Sequence, residues 1–253
     1  MVAPMTASPE TRPAGLVLPP AFTGLLVSPA LDAHAEACRL AEAGAEAGTL
    51  ILGGREAVID VAVVLAPEEP LAGARRALFA GMWALAEAVG GFGPPEIPVT
   101  ILWPDTLHFN GARLGGGRLG APEGCGETAV PDWLVFSGAL IASKRHAGDP
   151  GLTPDSTALD EEGFPPDLRG PLVESFARHL TKAFEVWSED GFARLAGHVL
   201  ARLALPPGAQ ATGIGAEGTL QWIRAEGRTE RWPLPPTHAA PSWHDPANGT
   251  VRL

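Results

Sequence analysis

The stretch at residues 100–119, TILWPDTLHFNGARLGGGRL, decides the fold. It reads as strand, turn, strand, turn, strand. Ile101 and Leu102 end an apolar run begun at Val99. Trp103-Pro104-Asp105 breaks that run, because proline fixes φ and donates no hydrogen bond. Leu107 and Phe109 then alternate with His108 and Asn110, the pattern of a half-buried strand. Asn110-Gly111 is the preferred dipeptide of a tight hairpin, where both central residues reach φ > 0. Arg113 and Leu114 begin the return strand. Gly115-Gly116-Gly117 bares the backbone there, which permits close approach of a ligand or of another backbone.

Working outward, residues 1–15 are rich in Pro, Ser and Thr and read as a disordered tail. Residues 22–27 form a first strand and 31–43 a helix, with Asp32 at its positive end. Residues 49–52 and 58–65 are apolar, β-branched runs expected to pair as a hairpin across Gly53-Gly54-Arg55-Glu56. A long helix is expected from Pro67 to about Ala88. Residues 133–142 form an apolar strand in which Gly138 marks a bulge or a close backbone approach. Residues 146–171 are irregular, a candidate lid or binding loop. Two amphipathic helices follow at 172–187 and 191–203. Leu205-Pro206-Pro207-Gly208 is the best boundary, dividing a main domain at 16–204 from a small β-rich unit at 205–253. That unit is a marginal core by itself, so it should dock on the main domain, with the tail folding back through Trp243.

The 253 residues are 45% apolar, enough for a sizeable core, and 31 Gly with 26 Pro imply many turns. The net charge of −11 argues against general nucleic-acid binding, which needs basic surface. There is no tyrosine to act as acid or nucleophile. Cys38 reads as core and Cys125 as loop, and two such residues make neither a disulfide framework nor a zinc site. No secretory signal pattern and no membrane-length apolar run stands in the sequence, so the expectation is a soluble cytoplasmic protein with no membrane partner and no metal.

Leu102-Trp103-Pro104-Asp105-Thr106, Asn110-Gly111, Arg113 and Gly115-Gly116 together resemble the central motif of the biotin/lipoate protein ligase family. There a Lys-Trp-Pro-Asn-Asp run precedes a hairpin, a basic residue and a small-residue pair. The resemblance extends from Leu31 to Leu203. CRLAEAG at 38–44 is similar to the family's first helix. Residues 133–141 are similar to its apolar strand with a central glycine, TALDEEG at 157–163 to its Thr-Ser-Leu-x-x-Glu segment, and 176–203 to its closing helix pair. The fold this implies is α+β: a mixed sheet flanked by helices, as in class II aminoacyl-tRNA synthetases and biotin ligases, followed by a small β C-terminal domain. The chemistry it implies runs in two steps. A biotin or lipoate carboxylate attacks ATP with Mg to give an acyl-adenylate, and a lysine of an acceptor domain then takes the acyl group. The implied partners are a small carboxylic acid and a biotinyl or lipoyl acceptor domain; a homodimer is a further expectation.

Three ligand-handling elements depart from the family pattern. The lysine before Trp-Pro is Leu102. The long Gly/Arg-rich loop of the first hairpin is reduced to Gly53-Gly54-Arg55-Glu56. The Asp-Ser-Thr-Asn segment reads Leu31-Asp32-Ala33-His34. Arg113 stands where lipoate ligases carry their key lysine; arginine keeps the charge but cannot act as a base.

Arg113 is the candidate catalytic residue, with a structural ion pair as its other reading. Candidate ligand-binding residues are Gly53, Gly54, Arg55, Trp103, Asp105, His108, Asn110, Gly115, Gly116 and Gly138. Each also has a plainer reading: Trp103 as core packing, Asp105 as a turn cap, His108 as a surface residue, Asn110 as turn chemistry and the glycines as a bulge. Lys144-Arg145-His146 could add charge to the same pocket or be a solvated cluster. Three functions stay open: a ligase that adenylates biotin, lipoate or a fatty acid; a catalytically degenerate protein that binds a small acid or a carrier domain; and an acyltransferase working without ATP.

Overall fold

The computed structural model describes residues 11–148 and 150–253. In chain order the elements of the first half are β1 (Thr11–Pro13), β2 (Thr23–Val27), α1 (Ala33–Glu42), β3 (Thr49–Leu52), β4 (Val58–Leu65), α2 (Leu71–Ala74), α3 (Ala77–Gly90) and β5 (Val99–Leu102). Then come β6 (Thr106–Phe109), β7 (Ala112–Gly120), β8 (Leu134–Ile141), α4 (Arg169–Asp190), α5 (Phe192–Leu200) and β9 (Leu203–Ala204). The C-terminal part adds β10 (Gln210–Ile214), β11 (Leu220–Ile223), β12 (Thr229–Trp232), β13 (His244–Asp245) and β14 (Thr250–Val251).

Nine strands form one mixed sheet in the order β1-β2-β3-β4-β8-β7-β6-β5-β9. β2 with β3 and β5 with β9 are parallel pairs. β3–β4 and the β5–β6–β7–β8 run pair antiparallel, as the alternation and the Asn110-Gly111 turn require. The register across the second hairpin sets His108 opposite Arg113 and Leu107 opposite Gly115, leaving Leu114 as the extra residue of a bulge. Two smaller antiparallel sheets, β10–β11–β12 and β13–β14, follow.

The pleat sorts each strand onto two faces. On one face Ile59, Val61 and Val63 of β4 and Leu134, Phe136 and Leu140 of β8 join the main core. α3, α4 and α5 cover that face, and α3 is buried nearly all round. On the opposite face Ala62, Val64 and Val135 pack under α1, while Val58, Ala139 and Ile141 pack under Trp243 and Val251 from the C-terminus. Two polar residues, Asp60 and Ser137, lie on this second face between the two apolar clusters.

Four expectations need correction or limits. Residues 1–10 lie outside the described residues, and Thr11–Pro13 is not tail but an edge strand paired to β2. The helix expected from Pro67 to Ala88 is two helices. Between them Arg76, Leu78 and Phe79 donate their backbone N–H three residues back, to Gly73, Arg75 and Arg76, in a tightened turn. The register runs unbroken through Gly138, opposite Gly117, so there is no bulge there. Gly138 instead makes room for Leu85, which a methyl group at this position would meet at 3.1 Å. Lys144 is no solvated charge: it is 5% exposed, donating to the Ser156 carbonyl at 2.6 Å and pairing with Glu161 at 3.1 Å.

Candidate functional site

The second face of the sheet carries the candidate site, and α1 opens it. Asp32 caps the helix, its Oδ1 accepting from the Ala35 N–H at 2.9 Å. The same carboxylate receives Arg118 at 3.1 Å on Oδ1 and Arg55 at 3.4 Å on Oδ2. Two residues on, His34 Nδ1 lies 2.7 Å from Ser137 Oγ and its Nε2 lies 3.7 Å from Cys38 Sγ. Burial, then the nearby Arg118 charge, lowers the His34 pKa to about 3, so the ring is neutral at working pH. Burial pushes the Cys38 thiol up to about 11, which leaves it a poor nucleophile.

Asp60 is 4% exposed and pairs with Arg55 through Oδ2 at 2.9 Å, while its Oδ1 and Arg55 Nε have no hydrogen-bond partner among the described residues. A buried charge pair of this kind is stable only while both members stay. The shortened loop that carries Arg55 is fixed from behind by Arg169, the first residue of α4. Its guanidinium donates to the carbonyls of Gly53 at 3.1 Å, Val58 at 2.9 Å, Glu56 at 3.3 Å and also Arg55.

The glycine-bared strip of β7 faces the C-terminal segment. A methyl on Gly116 would collide with the Asp105 carbonyl oxygen and with the Trp243 indole, whereas one on Gly117 would meet Met82 and Phe136 in the helical layer. Trp243 is 2% exposed and its Nε1 donates to the Gly117 carbonyl at 3.2 Å. Gly249 and Arg252 of the same segment offer their carbonyls to Arg55 Nη1 and Arg113 Nε, each at 3.0 Å. His244 Nε2 lies 3.4 Å from Arg118 Nη1. The space left among Asp32, His34, Arg55, Asp60, Ser137 and Trp243 is about 10 Å³, room for a single water molecule.

The residues singled out from sequence divide accordingly. Arg55, Arg113, Gly116 and the Asp105 backbone meet this face or its cover, with Gly53 and Gly54 in the supporting turn, while Gly115 lies opposite Leu107 and Leu140 in phase with the helical layer. Gly53 clears the Asp60 carboxylate, Gly54 the Val27 carbonyl and Gly115 that of Ala139. Trp103 and Gly138 face the helical layer, Trp103 with its ring 5.5 Å from Phe79. Asn110 sits at the hairpin tip with φ 53° and donates to Glu162 at 3.2 Å. His108 is half-buried opposite Arg113, and burial lowers its pKa.

Sequence reasoning missed His34, Asp60, Arg118, Ser137 and Arg169. Three of these left a signal: His34 ends the segment that stands for the family's Asp-Ser-Thr-Asn, Asp60 interrupts the run VIDVAVVL, and Arg118 follows three glycines inside a strand. Among the described residues no group of three His, Cys, Asp or Glu is placed to hold a metal ion. None of the described helices is long and apolar enough to cross a membrane.

The sequence model of the biotin/lipoate A/B protein ligase family matches residues 18–200. The chain belongs to that family. A biotin protein ligase-like protein of unknown function from Silicibacter sp. TM1040 is 32% identical, with a TM-score of 0.74 over 86% of this chain and 96% of that one. The biotin–[acetyl-CoA-carboxylase] ligase of Paracoccus denitrificans is 31% identical over 149 residues; the match spans 56% of this chain and 59% of that protein's length. The biotin protein ligase of Aquifex aeolicus, 17% identical with a TM-score of 0.61 over 80% of this chain and 92% of its own, shares the fold. Its structure is also known in complex with biotin and ATP.

Proposed function

We propose that this member of the ligase family binds a small carboxylic acid on the second face of the sheet, with Arg113 as the charge partner, and that it has lost the machinery for adenylation. One observation carries the reading. Arg55 and Arg118 are neutralised by Asp32 and Asp60, whereas Arg113 has no carboxylate within 4.0 Å among the described residues and donates to a peptide carbonyl instead. A guanidinium so placed gains a stronger, charge-assisted bond when a carboxylate arrives. Gly116 keeps the neighbouring backbone of that face bare, as an anionic ligand needs.

Activation of the acid asks for more. ATP supplies the α-phosphate that the carboxylate attacks, with loss of pyrophosphate, and the protein must neutralise both anions and exclude water. Leu102 is 43% exposed where a cation is expected and cannot neutralise anything. The loop at 53–56 is short, and Arg169 ties down its carbonyls. The competing reading is formation of an acyl-adenylate with Mg and ATP and transfer to a lysine of a biotinyl or lipoyl acceptor domain. Likeness to the Paracoccus denitrificans ligase favours it.

Calorimetry with biotin, lipoate and octanoate, run beside ATP–pyrophosphate exchange, separates the readings. The expected result is binding of an acid without exchange, weakened about tenfold or more by Arg113→Gln, in line with the loss of one charge-assisted bond. Exchange above background with any of the three acids would establish the ligase reading. Binding that Arg113→Gln leaves unchanged would remove Arg113 from the site.

A further inference from the structure

The C-terminal segment offers the sheet what a ring-bearing acid would offer. Its indole lies over the bared backbone at Gly116, with one N–H on the Gly117 carbonyl. Its carbonyls at Gly249 and Arg252 take one donor each from Arg55 and Arg113. All three arginines of this face, Arg118 included through His244, therefore meet the same twelve-residue stretch. With the stretch in place the remaining cavity of about 10 Å³ holds no organic acid, so anything larger than water occupies the space over Gly116 only after it leaves.

The hold on the sheet is local. β13 and β14 are two residues each and share no ladder with the main sheet, although β14 lies against β7 and β8. Trp243 and Val251 are the segment's only side chains in the buried apolar cluster on that face, with Leu253 packing against its edge. Short elements with few buried apolar groups sit at the low end of local stability and open without global unfolding. Two of the segment's four polar anchors are neutral carbonyls on guanidinium groups, and a carboxylate makes the stronger bond to the same donors.

We infer that residues 241–252 are an intramolecular occupant of the acid-binding face, seated by Trp243 and displaced by a carboxylic acid that carries a ring with an N–H donor. The inference rests on the acid-binding reading above and adds regulation and selectivity to it. A ring N–H replaces the indole bond to Gly117, whereas an alkyl acid does not, so biotin competes better than octanoate. The apparent affinity of the intact chain is reduced by the fraction of time the segment is away.

The test uses the full chain. Calorimetric titration with biotin compares the unmodified protein with Trp243→Ala, and hydrogen exchange follows the Arg252 amide, which donates to the Trp243 carbonyl at 2.8 Å. The expected result is a biotin affinity at least about tenfold tighter in Trp243→Ala, with faster exchange at Arg252 when biotin saturates the unmodified chain. Equal affinities in the two proteins, or an Arg252 amide that gains protection with biotin, would overturn the inference while leaving acid binding intact. Absence of binding by biotin, lipoate and octanoate to both proteins would instead overturn acid binding itself, and the inference with it. Should Trp243→Ala fail to fold, the exchange measurement on the unmodified chain decides the matter alone.

Discussion

Asp105 is a carboxylic acid held where its charge is costly. Burial raises its pKa from 3.8 to about 6, against a hydrogen bond from Thr106 Oγ1 at 3.1 Å that favours the charged form. The folded pKa lies above the unfolded one, so the stability it contributes is fully present below about pH 4 and is lost as pH rises through 6. Asp105→Asn removes that loss. The variant should match the parent near pH 4 and exceed it by about 1–3 kcal/mol at pH 7.5, from the roughly 1.4 kcal/mol per pKa unit. Urea unfolding at the two pH values measures it; an advantage that does not grow with pH would contradict the assignment. From sequence the same residue reads as a turn cap or a ligand contact. Neither reading shows its burial, because its surroundings are set by residues far away in the chain, among them Leu234 and Pro236, which line the same small pocket. Trp103 was legible as core because tryptophan is usually largely buried, and Arg113 as a charge on the return strand because the Asn110-Gly111 turn fixes where that strand starts.

At the scale of elements, Arg169 shows a long-range constraint that outweighs a local preference. A cation at the first residue of α4 is unfavourable by about 0.3–1 kcal/mol, because the helix dipole is positive there. Its bonds to the carbonyls of the 53–58 turn outweigh this, being charge-assisted and partly buried. Arg169→Ala should cost about 2 kcal/mol by urea unfolding and speed hydrogen exchange at Gly53, whose N–H bonds the Asp60 carbonyl at 2.9 Å. A variant as stable as the parent, with unchanged exchange there, would show that the loop is held by its own hairpin. The hairpins were legible because their signals are local: proline at 104, Asn110-Gly111, and β-branched runs flanking Gly53-Gly54. The α2–α3 break was not, because it depends on tertiary partners, with Arg76 bonding the Gly73 carbonyl at 2.9 Å, Glu69 at 2.6 Å and the distant Ala216 carbonyl at 2.7 Å. Nor was the polar cluster. Arg118 and Asp32 stand 86 residues apart in sequence, and only the sheet order sets them on one face.

Across the whole molecule, residues 205–253 attach at two places of different character. β10 contacts α5, and Gly218 approaches Leu234 and Phe79, which ties the three-stranded sheet to the helical layer. The 241–252 stretch then crosses to the other face and covers the site. The first attachment makes the two parts one cooperative unit, so calorimetry should show a single unfolding transition, with calorimetric and van't Hoff enthalpies equal; two resolved transitions would refute this. The second attachment sets the size of the Trp243→Ala effect. Truncating a fully buried Trp inside a core costs about 3–5 kcal/mol, because the surroundings keep the cavity. A segment that can leave the sheet loses no more than its own docking free energy, so the cost here should stay near 2 kcal/mol, a shift of roughly 4–8 °C for a chain of this size. A loss of 4 kcal/mol or more would make Trp243 a fixed part of the core rather than a displaceable cover. The sequence suggests that the tail folds back through Trp243 and the structure sets that ring on this face; only the magnitude of its removal distinguishes a core residue from an occupant.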